Sequence, residues 1–262
     1  MKTLLSCLLL LLSFASSAAN KTTAHKELSD APEITVKLPA SYDVDKTKRY
    51  PVIYVLDGTL NVELVQSMMQ RLAESNGGNE HIVVGVESKN RLDDFAPTVN
   101  LDPRGPVGAG GGADSLLNYF ESELIPTINN TYRTNNDKVI AGHSVAGLFV
   151  IHSYHSRPNL FQAHLAFSPA VWWGARETAQ SAKQYVTSEQ QTANFLYLNI
   201  GSEGGEMREV YDDLANTIAR NRSVDLVLLL DEFSTADHDF TMAAGLYNAL
   251  TGLYKYQQKM DI

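Results

Sequence analysis

The sequence predicts an α/β fold in which a mostly parallel central sheet carries helices on both faces. Two observations predict it. Short apolar runs recur along the chain, among them "YPVIYVLDG" (50–58), "HIVVGVE" (81–87) and "NFLYLNIG" (194–201), and their apolar residues are consecutive rather than alternate. Strands of that kind are buried on both faces, as in a parallel sheet. Between the runs lie segments with apolar residues at helical spacing, and strand–helix alternation builds such a sheet. Ligands then collect beyond the carboxyl ends of the strands, so residues that follow a strand are the first candidates for a site.

Taken in order, residues 1–19 begin Met1-Lys2, run apolar from Leu4 to Leu12 and end on Ser17-Ala18-Ala19. This is the pattern of a secretory signal cut before Asn20. The run is too short to span a bilayer permanently, so a periplasmic or secreted protein without stable membrane insertion is expected. Residues 20–31 read as a flexible leader and 32–262 as one domain. "PEITVKLPASY" (32–42) and 50–58 read as strands, 60–75 as a helix and 81–87 as a buried strand. Residues 90–113, rich in Gly and Pro, read as a long loop, and loops of that length are usually functional or disordered. Asp114 is expected to N-cap a helix that carries Leu116, Leu117, Phe120 and Leu124. A strand over 137–141, a helix to about residue 155 and strands 163–170 and 194–201 follow. Met207, Val210, Leu214 and Ile218 mark another helix, 225–233 a last strand and 240–256 a closing helix.

The 262-residue chain has a formal net charge of −9. That balance argues against nucleic acid and anionic membrane as partners, since both select basic patches. Cys7 is the only cysteine and lies inside the predicted signal. The mature chain therefore excludes thiol catalysis, disulfides and Cys-ligated metals, and no cofactor is implied.

"DKVIAGHSVAGLFVIHSYH" (137–155) carries the sharpest local signal. A strand, a turn of small residues with Ser144 at its apex and an apolar helix follow at once. Such an elbow holds a serine above the sheet, with the new helix directing its free N–H groups at developing negative charge. The turn equally suits an ordinary strand-to-helix junction. The usual pattern is G-x-S-x-G, and here Ala146 takes the last position with Gly147 after it.

A serine needs a base, and the base needs an acid. His238, in the polar stretch "STADHDF" after the last apolar strand, sits where the base belongs. His152 and His155 read as helix packing or surface residues, lacking a third metal ligand, and His164 as a strand residue. "NIGSEGGEM" offers Glu203, nearer the strand end, and Glu206, whose other role is to favour a helix N-terminus. Two backbone donors should meet the oxyanion: the N–H of Val145 and one from Gly58 or Thr59.

With these residues in hand, the chain resembles the esterase family of α/β-hydrolases that includes siderophore trilactone esterases, feruloyl esterases, S-formylglutathione hydrolases and mycolyltransferases. The resemblance rests on "YPVIYVLDG", "RLDDFAPT", "GGGADSLLNYFESELIPTINNTYRT", "AGHSVAGLF", "PNLFQAHLAFSPAVWW" and "LYLNIGSEGGEM" in that order. It implies the α/β-hydrolase fold, Ser144 as nucleophile, His238 as base, Glu203 as acid, and Val145 and Thr59 as oxyanion donors. It also implies a small-molecule ester as substrate, with "SPAVWW" nearest the siderophore branch. Gly58, His143, Trp172 and Trp173 are pocket candidates, and Arg91 or Arg104 would meet an acidic ligand. The same residues would serve acyl transfer to another acceptor, and a hydrolase-fold protein that only binds its ligand is the alternative outside catalysis.

Overall fold

The computed structural model describes residues 26–260 apart from Ser29, Arg104, Glu189 and Gln190. The expected signal over 1–19 and the cut before Asn20 lie outside the described residues. Seven strands form one sheet: β1 (Glu33–Lys37), β2 (Tyr50–Leu56), β3 (Ile82–Glu87), β4 (Thr134–His143), β5 (Ala163–Phe167), β6 (Phe195–Ile200) and β7 (Val227–Glu232). They lie in the order β1-β3-β2-β4-β5-β6-β7. Only the β1–β3 pair is antiparallel.

The consecutive apolar residues of β2 divide between two cores. Tyr50, Val52, Tyr54 and Leu56 face one side, packed with Phe120, Phe149 and Leu214. Ile53 and Val55 face the other, where they meet Val65 and Met69 of α1 (Gly58–Glu74) and Leu246 and Leu250 of α8 (Thr241–Lys259). This is the period-2 alternation of a strand with both faces covered. The first core is closed by α2 (Arg91–Phe95), α3 (Ala113–Tyr119), α4 (Ile125–Thr131), α5 (Val145–Ser156), α6 (Trp173–Val186) and α7 (Gly205–Asn221). A π-helical segment over 120–124 joins α3 to α4. From Val145 to Tyr154 every residue of α5 is buried, which is why that helix is apolar all round. Among the described residues no helix is long and apolar enough to cross a membrane.

The structure departs from the sequence reading in four places. The 90–113 stretch contains α2, and Gly108, Gly110 and Gly111 turn it back at positive φ. Asp114 does not cap α3; Gly112 occupies the N-cap. A Cβ there would meet Asp93 O at 2.8 Å, and the Asp114 carboxylate instead bonds His152 Nε2 at 2.7 Å. Helix α6 has no counterpart in the sequence reading; Gly174, Ala175 and Arg176 at its start take positive φ, and beyond them its buried face is made of Thr178, Ala179, Ala182 and Val186, mostly small or polar residues. Finally, β7, read from the sequence only as a last apolar strand, is an edge strand whose Leu230 is 40% exposed.

Candidate active site

Strand β4 ends at His143, α5 begins at Val145, and Ser144 between them has φ 60° and ψ −117°. A non-glycine residue in that region is strained and persists only where its surroundings over-determine it. Here they do. Ser144 N–H donates to Phe167 O at 3.0 Å, and its carbonyl accepts from Leu148 N at 2.9 Å and Ala170 N at 3.0 Å. The flanking glycines are sterically required. A Cβ on Gly142 would lie 2.5 Å from Ala146 O, and one on Gly147 would lie 3.0 Å from Pro169 Cα and 3.1 Å from Phe167 O. Ala146 itself is fully buried without such a conflict, so the tight small residue of this turn is Gly147.

His238 opens a 3₁₀ turn, His238–Phe240, that leads into α8. Its Nε2 lies 2.8 Å from Ser144 Oγ and its Nδ1 2.7 Å from Glu203 Oε1. A carboxylate only accepts, so Nδ1 carries the proton and Nε2 offers its lone pair to the serine hydroxyl. Glu203 Oε2 accepts the Gly201 N–H at 2.6 Å, and its side chain is 8% exposed. Desolvation pushes this carboxyl up. Ser168, His238 and the Gly201 amide outweigh that, leaving it below the ordinary carboxylate range. Ser168 Oγ has no partner in strict hydrogen-bond geometry, so its part is that of a nearby dipole. Ser202 N donates to Ala236 O at 2.9 Å, tying the loop of the acid to the loop of the imidazole.

The other candidates have varied surroundings. Val145 is the first residue of α5, and N–H groups of a first helical turn have no partner within the helix. Thr59 N–H donates to Glu87 Oε2 at 2.8 Å. Gly58 is packed against β3, where a Cβ would come within 2.8 Å of Val86 N. Glu206 pairs with Arg176 at 2.8 Å while Glu203 faces His238. Trp173 is buried and its Nε1 pins the 90–113 stretch through Thr98 O at 3.0 Å; Trp172 is 37% exposed. His143 turns its ring towards His238. Arg91 holds Asp57 with two bonds, at 2.7 and 2.8 Å, and Arg104 lies outside the described residues. Exposed Leu60 follows Thr59, and exposed Phe240 lies two residues beyond His238. Among the described residues no cluster of three His, Cys, Asp or Glu is arranged to hold a metal.

Two residues of this constellation, Glu87 and Ser168, escaped the sequence reading, because neither carries a local pattern; Asp57 was noted only for its place after a strand, and its hold on Arg91 was not foreseen. A hydroxyl, an imidazole and a carboxylate in series, with the hydroxyl on an elbow between a central strand and a buried helix, are the parts from which serine hydrolases are built. The fold and this site together define an α/β-hydrolase fold. The chain belongs to the Esterase family, whose model, described as "Putative esterase", matches residues 26–248.

Among curated proteins the chain is 29% identical to the siderophore triacetylfusarinine C esterase of Aspergillus fumigatus, over 60% of this chain and 57% of that protein. It is also 29% identical to the ferri-bacillibactin esterase BesA of Bacillus subtilis, over 70% and 68% respectively. The matches thus span somewhat over half to about two thirds of these relatives. Among solved structures, an IroE-like serine hydrolase from Shewanella oneidensis superposes with a TM-score of 0.80 at 25% identity, covering 86% of this chain and 76% of that one.

Proposed function

We propose that the protein is a serine carboxylic-ester hydrolase that works through an acyl-enzyme. The observation that carries this reading is the 2.8 Å approach of His238 Nε2 to Ser144 Oγ with Glu203 behind the ring at 2.7 Å. Ser144 attacks the ester carbonyl as His238 takes its proton, and the imidazolium that forms is stabilised by Glu203. The proton passes to the leaving alkoxide, and water activated by the same imidazole releases the acid. The amides of Val145 and Thr59 receive the oxyanion, which requires Glu87 to yield the Thr59 amide.

The substrate in this reading is a small-molecule ester of siderophore type. The names of the relatives support that class, and Leu60, Trp172 and Phe240, each near Thr59, Ala170 or His238 in sequence, are exposed apolar residues. The protein acts in the periplasm or outside the cell once residues 1–19 are removed; N-terminal sequencing of the mature protein should begin at Asn20.

The test compares p-nitrophenyl esters of increasing chain length with a trilactone siderophore, for wild type and Ser144→Ala. Turnover of the trilactone, lost in Ser144→Ala together with fluorophosphonate labelling, is the expected result. Turnover that survives the substitution defeats the proposal.

A further inference from the structure

His143 precedes the reactive serine in sequence, yet its side chain serves the opposite loop of the site. Its Nε2 lies 2.8 Å from the main-chain oxygen of His238. A carbonyl only accepts, so this nitrogen carries the proton. Thr241 Oγ1 donates to the same oxygen at 2.9 Å. The two imidazoles stand with centroids 4.6 Å apart, tilted by 44°. Burial, and then the neighbouring His238, hold the His143 ring below its ordinary pKa. The backbone of His143 is itself tethered, since Arg91 Nη2 donates to its carbonyl at 3.3 Å while the same guanidinium grips Asp57. One run of contacts therefore reaches from the turn at residues 57–59, through Arg91 and His143, to residue 238.

His238 has need of such support. It sits in a three-residue 3₁₀ turn with no buried residue, and 3₁₀ turns have poor hydrogen-bond geometry of their own. A reacting imidazole must be held to within about half an ångström. The two donors on its carbonyl supply what the turn lacks.

We infer that His143 is a positioning residue, which fixes the reactive imidazole by clamping the backbone of His238 rather than by touching substrate. The inference rests on the reading of Ser144, His238 and Glu203 given above. Kinetics on a short p-nitrophenyl ester would test it, with wild type, Ser144→Ala, His143→Phe, His143→Gln and Thr241→Val compared. Phe keeps a ring against His238 but has no donor; Gln places an N–H near the position of Nε2. His143→Phe should lose about 10- to 100-fold in kcat with KM within about twofold, as a displaced catalytic group would. His143→Gln should return to within about fivefold of wild type, which a merely space-filling role would not give. An unchanged kcat in His143→Phe, a loss confined to KM, or equal losses in the Phe and Gln variants overturns the inference. If His143→Phe does not fold by circular dichroism, Thr241→Val decides through the other donor on that carbonyl. A several-fold fall in its kcat then supports the clamp, and a wild-type kcat overturns it. Ser144→Ala keeps the two questions apart: turnover in that variant sinks the hydrolase reading itself, whereas an inert Ser144→Ala beside a fully active His143→Phe sinks only the clamp.

Discussion

The Thr59 amide donates to Glu87 Oε2 across 2.8 Å, so a carboxylate of β3 occupies one of the two N–H groups assigned to the oxyanion. Glu87 also stands opposite Glu33 in the antiparallel β1–β3 register, and like charges directly opposite are destabilising. A substrate oxygen at this position would compete with the Glu87 carboxylate for the same N–H. Glu87→Ala should raise kcat/KM for a neutral ester by about two- to fivefold, the yield of removing a competitor worth roughly 0.5–1 kcal/mol at a helix N-terminus. It should also lower the melting temperature slightly, because the same carboxylate favours the start of α1. A kcat/KM that falls with the stability would mean that Glu87 serves α1 alone.

Glu203 should be indispensable for rate but not for labelling geometry. In Glu203→Gln the amide can donate where the carboxylate accepted, which turns the His238 tautomer and leaves the imidazolium without its counter-charge. A loss on the order of 10³–10⁴ in kcat is expected, as for the acid of serine triads. Glu206→Gln, which removes the charge from the half-exposed Arg176 pair, should stay within about twofold, since exposed ion pairs contribute little. Steady-state kinetics on both variants checks the assignment of the acid, and equal losses would refute it.

The elbow makes a steric prediction. Gly147→Ala places a methyl 3.0 Å from Pro169 Cα, between two backbone segments that cannot give way cheaply. It should cost about 1–3 kcal/mol, the usual penalty of overpacking, and slow the enzyme by shifting the loop that holds the Ser144 carbonyl. Ala146→Gly, by contrast, restores the common motif but should leave the rate unchanged. Chemical denaturation paired with kcat tests both, and the reverse ranking would show that the tight position has been misassigned.

Three histidines with desolvated rings give the stability a defined pH dependence. Burial lowers His81 to about 4 and His155 and His164 to about 3. Each is therefore neutral in the fold where the unfolded chain would protonate it. Their contribution is fully present above an unfolded pKa near 6.5 and is lost as pH falls from there towards about 4 and 3, at about 1.4 kcal/mol per pH unit for each group. His164, in β5 against Tyr154 and Phe161, is the simplest to isolate. Between about pH 6 and pH 5 the stability of His164→Leu should fall less steeply than that of wild type. Parallel slopes in urea titrations at the two pH values would show that His164 is not buried as a neutral ring.

Much of this molecule was legible in its residues. The consecutive apolar runs at 50–58, 81–87 and 194–201 announced a doubly covered parallel sheet, because a strand with helices on both faces turns few positions to water. Gly142, Ser144 and Gly147 announced the elbow, because a backbone that turns so sharply tolerates little else. His238 and Glu203 were candidates by their places after strands. Their approach to Ser144 and to each other had to wait for the coordinates, since 94 and 35 residues of chain separate the pairs.

Other features belong to the tertiary structure alone. Residues 225–233 read as one more apolar strand, yet β7 is a sheet edge, and nothing local to a strand states which neighbours it will have. Asp114 reads as a helix cap and is drawn instead to His152 on a different helix. The Glu87 contact with Thr59, the grip of Arg91 on Asp57 and the hold of His143 on the His238 carbonyl join segments distant in sequence, through atoms whose spacing no periodicity encodes. The sequence by itself determined which segments become strands and helices and which residue types stand at their ends, because hydrophobic period and backbone sterics are local. Which of those ends meet, and which hydrogen bonds hold them, was decided only when the sheet order brought separate loops to one rim.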